Sequence, residues 1–226
     1  MRSKRYQEIK SKIDENKKYP LEEAIEIIRA NASNQFDETI ELHIQLGINS
    51  RKTEQQVRGA VVLPHGGAKK RKILAIVSPE KEAVAKKAGA DLAGGSKIID
   101  KIKKEKKCSF DLVVAHPALM SELAKVAKIL GPQGLMPSPK TETIGENVED
   151  IIKSLRSGKI AFKNDAGANL HQALAKVSWD QEKIKENVEA YLNEIKKKRP
   201  AGIKGNFIKN VFLSSTMGPA IKVALA

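Results

Sequence analysis

The stretch FDETIELHIQLGI, from Phe36 to Ile48, can arrange its side chains in only one regular way. Ile40, Leu42, Ile44 and Leu46 alternate with Thr39, Glu41, His43 and Gln45. A period of two places the four aliphatic side chains on one side of a β-strand and the four polar ones on the other. On a helix the same spacing would divide the apolar groups between two opposite sides. The spacing therefore predicts a half-buried strand with one polar face, which needs sheet neighbours on its edges.

Around that strand the chain changes texture twice. SKRYQEIKSKIDEN sets Tyr6, Ile9 and Ile13 at helical spacing, and YPLEEAIEIIRA starts a second helix at Pro20 with Leu21, Ala24, Ile25 and Ile28 on one face. GAVVLP reads as a short strand and HGGAKKRK as a basic loop. From Lys72 to about Arg156, short apolar strands alternate with helices. KILAIV, a helix opening at Pro79, FDLVVAH, the helix ALMSELAKVAKIL ending at Gly131, and NVEDIIKSLRSG come in turn. That order predicts a small parallel α/β unit covered on both faces. GADLAGGS reads as a glycine-rich helix-to-loop turn, and KIKKEKK as an exposed helix end.

After Gly158 the antiparallel character returns with KIAFKN and LHQALAKVSW. A capped helix from Asp180 carries Ile184, Val188, Tyr191, Leu192 and Ile195 as its stripe, and NFIKNVFLSSTMGP and AIKVAL follow. The fold class is mixed, α/β and α+β: an α+β domain formed by both chain ends (1–67 and 160–226), with an inserted α/β domain (68–159). Gly66 and Gly67 stand at one junction and Gly158 at the other, where glycines would permit a hinge.

Of 226 residues, 41 are Lys or Arg and 27 Asp or Glu, a formal charge of +14. Such an excess favours a polyanionic partner, nucleic acid first. The charge divides almost evenly between inserted and flanking parts, so it does not say which binds. The single Cys108 allows no intramolecular disulfide and suits a reducing compartment. No segment approaches the roughly 20 apolar residues of a membrane span, so a cytoplasmic protein without membrane contact is expected.

The signatures of an enzyme are missing. GADLAGGS has the glycine spacing of a phosphate loop, but Gly95 stands where that motif needs a lysine. His43, His65, His116 and His171 lack metal-ligand spacing, and no nucleophile elbow or acidic metal cluster is present. No cofactor, metal or catalytic residue is expected. ILGPQGLMPSPK reads as a rigid Gly/Pro surface loop that needs no partner, in preference to a preformed loop offering Gln133 and Lys140 to a ligand.

In NVFLSSTMGP, a strand would put Asn210, Phe212, Ser214 and Thr216 on one face and Val211 and Leu213 on the other. Small hydroxyls, an exposed Met217 and a side-chain-free Gly218 suit contacts to ribose and phosphate. A solvated strand end with a bulge at Gly218 fits the same residues equally well.

FDETIELHIQLGI, RGAVVLPHG, ILGPQGLMPSPK and SSTMGP, in this order, resemble the bacterial type of the large-subunit ribosomal protein family of the lateral (L-one) stalk. The resemblance covers nearly the whole chain. It implies a first domain joining both chain ends, a hinged, inserted Rossmann-like domain, binding to a looped helical element of large-subunit rRNA, and help in releasing deacylated tRNA from the exit site. It also implies repression of translation through a similar structure in the leader of the protein's own mRNA, and a ribosome-associated protein that is monomeric when free. Carried over by motif, the RNA-binding cluster falls on Phe36, Thr39, Glu41, Lys163, Asp165, His171, Thr216, Met217 and Gly218; Asn210 and Ser214 join it on the strand face. Asn210 replaces a common Ser, Ala175 replaces a Gly, which brings close RNA approach there into question, and TETIG and GGAKKRK depart from the usual loops.

Overall fold

The computed structural model describes residues 3–14, 17–33, 35–69, 71–105, 108–203 and 205–224; Lys70 of the basic junction and the end of KIKKEKK lie outside them. The chain opens with helices α1 (Lys4–Ser11) and α2 (Leu21–Ala30) and strands β1 (Thr39–Leu46) and β2 (Arg58–Val62). Next come β3 (Ile73–Ile76), α3 (Glu82–Lys87), β4 (Leu92–Gly94), α4 (Ser96–Glu105), β5 (Leu112–Ala115), α5 (Met120–Leu123), α6 (Ala127–Leu130) and α7 (Val148–Arg156). The last elements are β6 (Lys159–Lys163), β7 (Asn169–Lys176), α8 (Gln181–Lys197), β8 (Ile208–Ser215) and β9 (Ile221–Val223). Two compact units divide the chain, one of Met1–Ala68 with Ala161–Ala226, the other of Lys69–Ile160.

The discontinuous unit is built on an antiparallel sheet in the order β7-β1-β8-β9. The alternating strand β1 lies inside it, paired with β7 on one edge and β8 on the other. Ile40, Leu42, Ile44 and Leu46 are buried together with Leu170, Val211 and Leu213, and α2 and α8 cover this face. Each buried Leu or Ile contributes roughly 1.5–3 kcal/mol, so a single covered face holds the sheet. The α8 stripe is as expected except for Leu192, which is only partly buried. Asp180 occupies the N-cap position, but its carboxylate pairs with Lys183 (2.6 Å) rather than capping backbone amides.

Asn187 is a fully buried polar side chain on α8. Its oxygen accepts from the His65 amide (3.1 Å), and its nitrogen donates to the carbonyls of Leu174 (2.9 Å) and Gly66 (3.2 Å). The Leu174 carbonyl belongs to the β7 bulge, where the register against β1 shifts between Ile40 and Glu41. One amide thus serves three backbone groups that have left regular ladders.

The contiguous unit has a parallel sheet in the order β4-β3-β5. One face packs Leu74, Ile76, Val113 and Ala115 against Ile99, Ile102, Leu123, Val126 and Leu130. The opposite face packs Ile73, Ala75, Val77 and Val114 against Ala85, Val148 and Ile152. Burial on both sides explains why β3 and β5 read as unbroken apolar runs. Two expectations need correction. The segment read as a glycine-rich turn contains β4, and α4 begins at Ser96; the strand is only three residues long, and a Cβ on Gly94 would stand 2.7 Å from Ile98 Cδ1, so a larger residue there would make the Ile98 side chain shift. The expected single helix of ALMSELAKVAKIL is broken by tighter turns at Pro117–Leu119 and Ala124–Val126. Side chains three apart eclipse in such a turn, which brings Leu123 and Val126 onto the same core.

Asn187→Leu strands one amide and two carbonyls in an apolar setting. A buried orphan costs about 1–3 kcal/mol, and urea unfolding should register a loss of roughly 2–4 kcal/mol.

Candidate nucleic-acid interface

The uncovered face of the four-stranded sheet collects polar side chains by register. Glu41 lies opposite Ala173 and Ser214, His43 opposite His171 and Phe212, and Gln45 opposite Asn169 and Asn210. Thr39 faces Lys176 at one end, and Lys222 on β9 lies beside Phe212. From Thr39 to Gln45 this row spans about 20 Å at roughly 3.4 Å per residue.

Its centre is a relay of hydrogen bonds. His43 and His171 approach through their Nδ1 atoms (2.8 Å), His43 Nε2 meets Ser214 Oγ (3.0 Å), and His171 Nε2 lies 3.5 Å from an Asp165 carboxylate oxygen. The carboxylate can only accept, so it fixes the rest. His171 Nε2–H points to Asp165, His43 Nδ1–H donates to His171, and the Ser214 hydroxyl donates to His43. Burial pushes the His43 imidazole below its ordinary value; the neighbouring His171 pushes the same way, and Glu41 opposes. The amide of Asn169 is the main cause holding Asp165 below the usual carboxylate range. That amide closes a tight turn (2.6 Å) in which Ala168 takes a left-handed φ of 63°. At the far end Asn210 donates to Gln45 (2.7 Å).

At the near end, all three hydroxyls of SSTMGP bond to groups of the protein itself. Ser214 serves His43, and Ser215 hydrogen-bonds Glu38. The Thr216 hydroxyl accepts from the Thr39 amide (3.0 Å) and donates to the Thr39 carbonyl (3.3 Å), which also accepts from the Thr216 amide (3.0 Å). This clasp prolongs the β1–β8 ladder past its last regular pair. A hydroxyl has two acceptor positions, so Thr216 keeps one for an outside donor. The Thr39 hydroxyl accepts from Lys176 Nζ (2.8 Å), which also donates to the Asp37 carbonyl.

Glu38 gave no signal in the sequence beyond being one acid among 27. It is completely buried. One carboxylate oxygen accepts from the Ser33 amide (2.8 Å) and from Arg5 (3.3 Å), the other from the Met217 amide (3.3 Å). Burial alone would raise its pKa, but the bonds from Ser215, Ser33, Met217 and Arg5 together hold it below the ordinary value. An uncovered acid within a polar stretch reads as solvated, and only its convergence with residues about 180 positions away marks it.

Anchored in this way, the turn displays Met217 at 59% exposure, and Phe36 in the approach to β1 is 47% exposed. Gly218 follows, and a Cβ there would come within 2.5 Å of Ser215 Oγ. The structure therefore brings together Thr39, Glu41, His171, Asn210 and Ser214 on one face, Thr216, Met217 and Gly218 at its end, and Asp165 through His171. Lys163 is exposed at the end of β6, in the separate two-stranded β2–β6 sheet. Ala175 is fully buried on the core side, so its replacement of a glycine does not touch the polar face. Gly66 (φ 77°) and Gly158 (φ 110°) have left-handed backbones; Gly67 adjoins the first.

In the contiguous unit, the N-terminus of α4 is closed to phosphate. Ser96 Oγ donates to the Glu122 carboxylate (2.6 Å), which sets a negative charge where an anion would lie. Gln133 and Lys140 are exposed, while Leu135 and Met136 pack the intervening loop onto the core. At the basic junction, burial lowers the pKa of Arg71, and Lys69 lies 3.8 Å from Asp111.

Comparison with known sequences supplies the deciding observation. The model of the ribosomal protein L1p/L10e family matches residues 28–219. The chain belongs to this family. Proteins called large ribosomal subunit protein uL1 are similar to it over almost their whole length. The one from Thermosipho africanus is 46% identical across 98% of this chain and 95% of its own. The one from Kosmotoga olearia is 45% identical across 98% and 96%, and that of Mycoplasma capricolum 43% across 98% and 97%. The L1p/L10e assignment makes the chain a structural component of the large ribosomal subunit of bacterial type rather than an enzyme, in a family for which rRNA binding is typical. The match spans β1, β7, β8 and the Thr216–Gly218 turn.

Two predictions test this geometry. Because the folded pKa of Glu38 lies below its ordinary value of 4.5, its stabilisation is present above that pH and disappears as pH falls through the folded value. Glu38→Gln should therefore be less stable than wild type by roughly 1.5–3 kcal/mol at pH 7, and the gap in urea midpoints should close as pH falls from 4.5 through the folded value. In an imidazole NMR titration, His171→Ala should move the His43 midpoint upward by removing the like charge, while remaining burial keeps it below the ordinary value.

Proposed function

We propose that the open face of the four-stranded sheet and its Thr216–Gly218 end form the contact with large-subunit rRNA. The observation that carries this reading is the anchored turn: a buried carboxylate and the Ser215 and Thr216 hydroxyls hold Met217 and Gly218 beside Thr39, with Met217 and Phe36 left exposed. A preformed, half-apolar edge with spare acceptors suits ribose and base contacts in folded RNA, whereas a merely solvated strand end has no need of a buried carboxylate behind it. The contact residues are Phe36, Thr39, Glu41, Asp165, His171, Asn210, Ser214, Thr216, Met217 and Gly218, with Lys163 contributing charge from β6.

On this reading the bound protein forms the lateral stalk and assists release of deacylated tRNA from the exit site. The same surface accepts a matching structure in the protein's own mRNA leader, and the free protein is a monomer. The inserted domain (68–159) moves on the crossings marked by Gly66, Gly67 and Gly158. Because Asn187 ties the Gly66 carbonyl to α8, bending falls at Gly67 and beyond.

Binding of a large-subunit rRNA stalk fragment, against excess tRNA, tests the site. Met217 is exposed, so Met217→Ala removes contact surface without a buried role and should weaken binding by roughly 1–2 kcal/mol, about five- to 30-fold. Thr216→Ser keeps the clasp on Thr39 and should bind like wild type, while Thr216→Val should lose both affinity and thermal stability. Neutralising about five phosphates gives a log–log salt slope of roughly −3.5 to −4.5. Wild-type affinity in Met217→Ala and Thr216→Val would move the site elsewhere, and no specific binding by wild type would overturn the reading.

A further inference from the structure

The polar face does not stop at Met217. Two adjoining depressions share Tyr6 of α1: a shallow one bordered by Ser3, Thr216, Met217 and Gly218, and a cavity of about 280 Å³ whose lining includes Lys10, Phe212, Pro219 and Lys222. Phe212 is the aromatic member of the otherwise polar row, with His43 on one flank and Lys222 on the other. Its outward position was legible from the strand alternation. Tyr6 was not, because helical spacing groups it with Ile9 and Ile13. Those two are buried, only 6% and 9% exposed, while Tyr6 remains half-buried at the cavity wall.

We infer that this cavity is a slot for one unpaired nucleotide of the bound RNA, its base resting against the Tyr6 and Phe212 rings and its phosphate held by Lys10 and Lys222. The inference rests on the rRNA-binding reading above and adds a subsite to it. The chemistry is that of single-stranded recognition, in which aromatic rings accept the face of any base and lysines follow the backbone. Asp14 is the acidic member of the lining; a carboxylate there can only accept, which suits a base amino group or a 2′-hydroxyl and disfavours a second phosphate. The slot opens onto the same Tyr6 that borders Met217 and Gly218. A strand leaving the anchored turn can therefore enter it without crossing the sheet.

The test is the affinity of the large-subunit rRNA stalk fragment, titrated with salt, for the full-length wild type, Tyr6→Leu, Tyr6→Phe, Phe212→Leu, Lys222→Gln and Met217→Ala, with thermal midpoints in parallel. Loss of a stacked base should weaken Tyr6→Leu and Phe212→Leu by about five- to 150-fold, while Tyr6→Phe binds like wild type. Lys222→Gln should make the salt slope shallower by about 0.7–0.9. If both leucine variants and Lys222→Gln match wild type while Met217→Ala weakens, the RNA site stands and the slot is overturned. If the loss in Tyr6→Leu tracks a fall in thermal midpoint and Lys222→Gln leaves the slope unchanged, Tyr6 is a packing residue and the slot is again overturned. No binding by wild type overturns the rRNA reading, and the slot falls with it.

Discussion

A carboxylate sealed from water holds the end of the sheet in place. Glu38 draws the amides of Ser33 and Met217, the Ser215 hydroxyl and Arg5 of α1 to one point. Desolvating a carboxylate is expensive, and a charged group withdrawn from water persists only where donors surround it. Removing any one donor leaves the others holding an under-satisfied charge, so the segments on either side of β1 are positioned together or not at all. The Thr216 clasp, the orientation of Met217 and the mouth beside α1 all depend on that convergence.

The histidine relay uses the same logic at lower cost. Asp165 is half-exposed, yet it decides where three hydrogens lie, because a carboxylate offers no donor. The direction then passes through His171 and His43 to Ser214. Donor and acceptor directions fixed at the centre of the row distinguish a reading surface from a wet sheet face.

Much of this could be read before the fold was known, for reasons of periodicity. The alternation from Thr39 to Leu46 identified both faces of β1, and Val211 and Leu213 against Asn210 and Ser214 did the same for β8, because a period of two is a local property. Apolar runs likewise announced β3 and β5. The three-residue β4 is too short to carry a period, and the turn-broken segment from Pro117 to Leu130 keeps its apolar spacing while changing its hydrogen bonds. Glu38, Asn187 and the internal bonds of the hydroxyls were illegible for another reason. Each is defined by partners more than a hundred residues away in several cases, and a buried acid looks in sequence like a solvated one.

The nesting of one unit inside the other has a kinetic side. β1 cannot complete its pairing until β7 and β8 exist, so it waits with both edges open while about 120 residues are added. The inserted unit is contiguous and can fold first. Once compact, it replaces most of that connection with a body whose two ends are fixed, leaving roughly 30 flexible residues to close. A fourfold shorter loop lowers the entropic cost of closure by about 1.2 kcal/mol. The inserted unit is therefore also a splint, which shortens the search that joins the two ends of the chain.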